Sequence, residues 1–561
     1  MMPVMLVAFG TMLIIVIGSC KRQFITNTTT STVNILEYLK QNADKYSLFT
    51  QIIEKAGYSS FLNAYGTNTI FAPTNDGVNA YLKKVNKATV NDIDEATAKN
   101  LVSFSLIQDT IATTEFSDGK LRTPTMLAQY LITGVANVNG TSTITINRQA
   151  NLLQGNIRVG NGIIHNVDNM LVPATLTLAQ LVEQDPRLSI FSEALKATGF
   201  YDSLNVPALN QTSLNRKYLT LVAQTNETFA AAGISDFAAL KSKYSKTGNP
   251  KSPQDSLYLF VAYRVLPQLS YVSDIASSTS LPTLAPLEIT TAQLEGEKVL
   301  LNNDTFNGVL EPGVELDRTL SDNSANNGVL HLAKQNYAIK IRKPTPVYFD
   351  VCDQPEIKRI PGLYRRPNKN FEIFEGELAD VSWVHKGTAG RSVFYVTSAL
   401  VTNDWFYGGD YMRLGFRHRA NNDGQSAQTF RTPLIVKGRY KVWIDYRQSS
   451  PNSVVVSVDG VTLPNLVRTD DIINNTDSDA LLESRGLKRY SDAEKADNSR
   501  RHAGRLAGVI NITTTDRHTV TLSTNGVGGT TGFFLDVIEF RPIDMNQVLP
   551  RLGRDGTLKY E

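Results

Sequence analysis

The chain has 561 residues, 42% apolar and 19% charged, with a net charge of +3 at pH 7 and two cysteines. That length allows three or four ordinary globular domains, the near balance of charge removes a global electrostatic case for nucleic acid, and two cysteines cannot build a disulfide framework. No His-x-x-x-His, Cys-x-x-Cys, G-x-S-x-G or P-loop pattern is present, so no catalytic residue, metal ligand or cofactor is expected from local motifs.

From Val4 to Ile17 the chain is apolar, too short to cross a bilayer comfortably and suited to the core of a signal peptide. Ile17-Gly18-Ser19-Cys20 follows, then Lys21 and Arg22. Small residues before a thiol nucleophile are what lipid attachment needs, and the four residues resemble a bacterial lipobox. The resemblance implies a lipoprotein signal peptide over 1–20, an acylated Cys20 and a lipid anchor in the outer membrane, on its periplasmic or its outer face. A cleaved signal with an incidental cysteine, or a buried helix, are the other readings of the same run. KRQFITNTTTS (Lys21 to Ser31) is polar and Thr-rich, a tether within 21–34. Pairing Cys20 with Cys352 would staple this leader to a distant segment, so Cys352 is expected as a lone, half-buried small residue.

The next part of the chain is written twice. SLFTQIIEKAGYSSFL (Ser47 to Leu62) aligns without a gap with SIFSEALKATGFYDSL (Ser189 to Leu204), NTIFAPTNDGV (Asn68 to Val78) with LTLVAQTNETF (Leu219 to Phe229), and NGIIH (Asn161 to His165) with NGVLH (Asn327 to His331). Such a repeat is one domain built twice, and the wider spacing in the second copy points to loop insertions. Leu48, Phe49, Ile52, Ile53 and Ala56 fall at helical spacing, with Gly57 as the stop. Thr69 to Ala72 is a short strand ended by Pro73, and Thr74 and Asn75 suit a helix cap. Thr225 and Asn226 hold the same places in the second copy. The Asn-Gly pairs read as turns. His165 and His331 recur at one position, which favours a hydrogen-bonded framework over a ligand role.

These blocks resemble fasciclin-type (FAS1) domains, whose signatures run near TVFAPTNEAF and NGVIHVID. FAPTNDGV (Phe71 to Val78) and NGIIHNVDNMLVP (Asn161 to Pro173) are similar to them, while the second copy has Gln224 in place of the proline. The resemblance implies two α+β FAS1-like domains, at 35–174 and 175–345, a module of adhesion and matrix interaction without a shared active site. The Tyr-His of a YHVLPG pattern, linked to receptor adhesion in animal members, is replaced: YRVLPQ (Tyr263 to Gln268) carries Arg264, and the first copy has FSLIQD (Phe104 to Asp109). Animal-style adhesion is therefore not implied.

KRIPGLYRRPNK (Lys358 to Lys369), basic with two prolines, reads as an extended linker within 346–370, solvated or touching an anionic surface. SRGLKRYSDAEKADNSRRHAGR (Ser484 to Arg505) mixes both signs and reads as an exposed insertion. Neither has the aromatic interleaving of a nucleic-acid platform.

Residues 371–545 change character: Trp383, Trp405 and Trp443 all lie here, among alternating strand patterns. In GRYKVWIDYRQ (Gly438 to Gln448), Tyr440, Val442, Ile444 and Tyr446 share a core face, and Lys441, Trp443, Asp445 and Arg447 the opposite, polar face. SVVVSVDG (Ser453 to Gly460) ends in a hairpin Asp-Gly. In DRHTVTLSTNG (Asp516 to Gly526), Val520 and Leu522 point inward, and Gly526 to Gly529 read as a hairpin. FFLDVIEFRP (Phe533 to Pro542) is apolar enough for a central strand covered on both faces.

This series resembles the galactose-binding-like jelly rolls that include many carbohydrate-binding modules, so the fold class expected is multidomain, two FAS1-like α+β domains followed by an all-β jelly-roll sandwich. A polar tail, 546–561, closes the chain. The resemblance implies sugar rings stacked on aromatics, with Trp443, Asp445 and Arg447, and Trp405 and Tyr407 in a loop with Phe406 and Tyr411, as glycan-binding candidates. Packing is the competing role for such aromatics. Proteins with this layout resemble accessory lipoproteins of TonB-dependent glycan-uptake systems, which implies a membrane, a glycan and an outer-membrane transporter complex as partners. Two other functions remain open: a glycan-active enzyme, since paired carboxylates are spaced in the fold rather than the sequence, and a structural adhesin that binds protein.

Overall fold

The computed structural model describes residues 33–561 apart from 65, 139–140, 307–308, 387–389, 398–404, 417–423, 450, 472, 475, 492–501 and 526–531. Cys20, nearly all of the tether and Gly526 to Gly529 lie outside the described residues. The chain forms two compact units, 1–174 and 175–561. Among the described residues no helix is long and apolar enough to cross a membrane.

In the first unit, Asn68–Pro73 is buried along its whole length. It runs antiparallel to Leu106–Ile107 on one side and parallel to Gly162–Val167 on the other, placing Phe71 opposite His165. The two repeated blocks are thus neighbouring strands of a seven-stranded sheet. The helix Ala43–Lys55 packs its Phe49, Ile52 and Ile53 face into the core. Pro73 ends the strand, and the Thr74 hydroxyl accepts from Gly77 N at 3.2 Å to start the helix Asn75–Lys84.

The second unit opens with the same plan. Leu219–Ala223 lies parallel to Gly328–Leu332, with Val222 opposite His331, and antiparallel to Val265–Leu266. Gly162 and Gly328 are more than turn residues: a Cβ on either would fall onto the carbonyl oxygen of Asn68 or Leu219, the partner strand's first residue. Glycine is what lets the parallel strands close at their start. In the interval where the first copy continues its one sheet through Gly119–Lys120 to Ala150–Val159, this copy has a separate four-stranded sheet and the hairpin Asp304–Phe306 with Val309–Glu311.

The rest of this unit is a two-sheet antiparallel β-sandwich. Phe533–Pro542 runs down the middle of its larger, eight-stranded sheet, flanked by Gly438–Arg447. Residues 346–370 are not a linker: Val347–Asp350 pairs with Phe540 to Val537, and Cys352, Ile357 and Leu363 are buried in the sandwich core. Proline-rich sequence here wraps the domain, because apolar residues between its charges find a core to enter. Cys352 is fully buried, not half-buried. Nor is 546–561 a free tail. Leu552 is buried, and Arg551–Leu552 pairs with Leu558–Lys559 across the outer face of the large sheet. Within 484–505, Leu487–Lys488 is a sheet strand, and Lys488 and Tyr490 are 1% and 0% exposed, so this part of the supposed insertion is structural.

Candidate functional site

The repeated polar residues are bonded inward. Asn161 accepts from Ile35 N at 2.9 Å and donates to Leu62 O and Ala64 O at 2.8 Å each. Asn327 does the same with Leu178 N, Leu204 O and Val206 O. His165 accepts from Asn156 N at Nδ1 and meets Ile111 O through Nε2 at 2.9 Å. That pairing fixes the neutral Nε2–H tautomer, and burial lowers its pKa. His331 repeats the arrangement with Asp322 N and Ser270 O. Asn75 ties the motif helix to Leu48 N, and Asn226 ties its counterpart to Ile190 N; Thr225 caps Thr228 N.

The second copy's two departures from the fasciclin pattern are partners. Arg264 is fully buried between the rings of Phe260 and Tyr337, at 3.5 and 4.1 Å. It donates to Gln224 Oε1 at 2.8 Å and to Phe260 O at 2.7 Å, and Gln224 Nε2 donates to Gln335 O at 2.8 Å. Burial pulls the guanidinium down to about 10.

In the sandwich, Trp443 and Asp445 are both 0% exposed, which removes them as sugar-facing groups. The face they occupy is polar, but the end of the chain covers it. Trp443 Nε1 donates to Gln547 Oε1 at 3.0 Å, and Lys488 Nζ lies 4.8 Å from the Trp443 ring centre. Lys488 also donates to Glu539 at 2.6 Å, and Arg541 pairs with the same carboxylate. Burial opposes ionisation of Glu539, yet Lys488 and Arg541 outweigh it and hold its pKa at about 2. Tyr407 is pinned as well, its OH on Gly556 O at 2.9 Å and its N on Asp536 at 2.9 Å. Trp405 is partly buried, with Arg554 5.9 Å over its ring. Both rings are half-buried.

A second buried cluster joins the same cover. Asp350 accepts from Arg365 at 2.8 Å, Arg365 Nε stands 3.6 Å from Asp410, and Asp410 accepts from Tyr395 OH at 2.8 Å. Asp536 accepts from Tyr490 OH at 2.7 Å. One guanidinium serves two carboxylates, and Asp536 adds a third negative site beside them. Burial first, and then their mutual repulsion, push Asp410 up to about 8; burial pushes Asp350 up to about 6, with Arg365 opposing it. The adjacent Cys352 thiol is raised by burial and by Asp410, the reverse of an activated nucleophile. No group of three or more His, Cys, Asp or Glu among the described residues is placed to hold a metal ion.

Arg447 alone of the Trp443 strand's candidates stays on an accessible face. It completes a row running across the large sheet, Glu372, Phe394, Arg413, Phe534 and Arg447, each opposite the next. The Arg413 guanidinium lies 4.2 Å over Phe394, and that of Arg447 5.5 Å over Phe534. All but the exposed Glu372 are half-buried. Among the described residues Arg413 has no ion pair. Stacked guanidiniums on an accessible face can meet a carboxylate or sulfate while the rings meet C–H faces. Phe394, Arg413 and Phe534 were not singled out in sequence because each belongs to a different strand; their period-2 alternation with buried neighbours was the available signal.

Residues 44–173 match the family profile of the fasciclin domain. Among solved structures, the chain is similar to a FAS1 domain pair from the insect cell adhesion molecule fasciclin I, at 16% identity over 51% of this chain and 94% of that one, with a TM-score of 0.22. It is similar to a family 35 carbohydrate-binding module from Clostridium thermocellum at 11% identity, over 35% of this chain and 98% of that one, TM-score 0.14. Its likeness to the GH26-CBM35 β-(1,4)-mannanase of Podospora anserina is 10% identity over 37% of this chain and only 30% of that one, TM-score 0.17. No curated protein matches. With both signature blocks paired as parallel strands, residues 44–173 are a fasciclin domain.

Proposed function

We propose that the chain is a non-catalytic binding and adhesion protein, held at a bacterial outer membrane by an acylated Cys20 and serving a TonB-dependent glycan-uptake system. The fasciclin-like repeats supply interaction surface, and the sandwich takes the ligand. The observation that carries this reading is the half-exposed row of Phe394, Arg413, Phe534 and Arg447. Its chemistry suits a glycan bearing carboxylate or sulfate groups. Lipid attachment with a tether would hold that surface near a transporter at high effective concentration. The carboxylates with raised pKa values, Asp350, Asp410, Asp445 and Asp536, lie beneath the C-terminal cover, which favours capture over hydrolysis.

The test is affinity electrophoresis of the soluble chain from Lys21 through gels containing neutral or acidic glycans. Retardation by acidic glycans without new reducing ends is expected, and Arg413→Gln with Arg447→Gln should weaken it roughly tenfold or more, as the loss of two charge-assisted contacts requires. New reducing ends would favour the glycan-active enzyme. Inertness toward every glycan would favour a protein-binding adhesin.

A further inference from the structure

Buried charges under the C-terminal cover are costly if they serve only as ion pairs, and the register of the sheet gives them another use. Lys488, Gly504 and Asp445 stand in one row across three strands, Lys488 opposite Gly504 and Gly504 opposite Asp445. Residues paired this way project from the same face. Since the middle residue has no side chain, the lysine and the aspartate lean toward each other over bare backbone. A Cβ on Gly504 would lie 2.5 Å from Asp445 Oδ1 and 2.9 Å from Lys488 Cε. Two strand spacings of roughly 4.8 Å each separate the outer two Cα atoms, a gap these side chains can bridge. Glu539 completes the group, at 2.6 Å from Lys488 Nζ, and the Trp443 ring walls it off. Lys488 is 1% exposed, Asp445 and Glu539 0%.

We propose that Lys488 and Asp445 are joined by an intramolecular isopeptide bond, which the folded chain makes itself with Glu539 carrying the proton. In the structure the ammonium rests on Glu539, to which it gives one proton. Rotation of the lysine's last torsions then brings the free amine over Gly504. The Nζ lone pair attacks Cγ of the protonated Asp445 carboxyl. Glu539 protonates the departing hydroxyl, which leaves as water, and takes the second amine proton as the amide forms. One C–N bond is made, one C–O bond is broken, and no oxidant or other reactant is needed. Glu539 finally returns its proton to solvent and remains on Arg541.

The protonation states agree with this geometry. Burial raises Asp445 well above the carboxylate range, so it is an acid with a leaving hydroxyl. Burial also lowers Lys488, easing release of its proton; Glu539, 2.6 Å away, is the base within reach, and its low proton affinity makes that proton available to the departing hydroxyl. The product would clip the short edge strand Leu487–Lys488 to the centre of the sheet, in a chain whose described cysteine is free and buried.

Mass spectrometry of the intact soluble chain tests this directly. A mass lower than that of the sequence by one water is expected, and a tryptic digest should contain a branched peptide joining the Asp445 and Lys488 segments. Lys488→Arg, Glu539→Gln and Gly504→Ala should each restore the full mass, in preparations whose circular dichroism matches the parent. An unshifted parent mass with separate linear peptides overturns the proposal, as does a branch between any other pair. A water-deficient Glu539→Gln chain overturns the role given to Glu539.

Discussion

Arg264 and Gln224 show how two departures from a family pattern can be one structural event. Removing the arginine leaves Gln224 Oε1 and the carbonyls of Phe260 and Tyr337 without a buried donor. Arg264→Ala should therefore cost about 3–5 kcal/mol and Gln224→Ala about 1–2 kcal/mol in urea unfolding. The double variant should lose less than the sum; strictly additive losses would show that the two are not coupled. Each substitution was visible in the sequence, but their partnership was not, because it depends on the antiparallel pairing of Leu221 with Val265. The Asn-Gly blocks make a similar point. Their local meaning is a turn, whereas their role is set at long range: Asn161 and Asn327 bond distant backbone, and Gly162 and Gly328 admit the carbonyls of Asn68 and Leu219.

At the scale of elements, strands and helices were readable wherever one face is apolar. Tyr440, Val442, Ile444 and Tyr446 do line the core. The opposite face was misread, because a polar strand face ordinarily meets water, and here residues 546–561 cover it with hydrogen-bond partners that look like a polar tail. The same blindness turned 346–370 into a linker. If the cover is integral, truncation after Asn546 removes the acceptor of Trp443 Nε1 and uncovers Lys488 and Glu539. Acrylamide quenching of tryptophan emission should rise, its maximum should move to the red, and the sandwich should melt at least ~5 °C lower, as a loss of only a few kcal/mol implies. Unchanged quenching and melting would mean that the cover is dispensable.

For the whole molecule, buried titratable groups predict that the sandwich and the first fasciclin domain answer pH in opposite directions. In the sandwich, Asp350 and Asp410 share Arg365 and Asp536 lies close enough to repel both, with Tyr395, Tyr407 and Tyr490 donating or packing around them. Their folded pKa values are raised, to about 6 for Asp350 and about 8 for Asp410. Between the unfolded carboxylate value near 4 and pH 8 the folded state therefore holds protons that the unfolded chain has released, so stability falls as pH rises. The loss from pH 5 to pH 8 should be on the order of 2–5 kcal/mol. His165 acts the other way. Its folded pKa is depressed, so the stability it contributes is present above the unfolded value near 6.5 and is lost as pH falls below it, by at most ~1.4 kcal/mol per pH unit. All three tryptophans belong to the sandwich, so their emission follows that domain, while far-ultraviolet circular dichroism follows every part of the chain. On moving from pH 8 to pH 5, the tryptophan-monitored transition should shift to higher temperature, and the transition seen only by circular dichroism should divide, its fasciclin-domain component shifting lower. A tryptophan transition that moves down with acidification would place the three carboxylates in their ordinary range and dissolve the electrostatic account of the covered face.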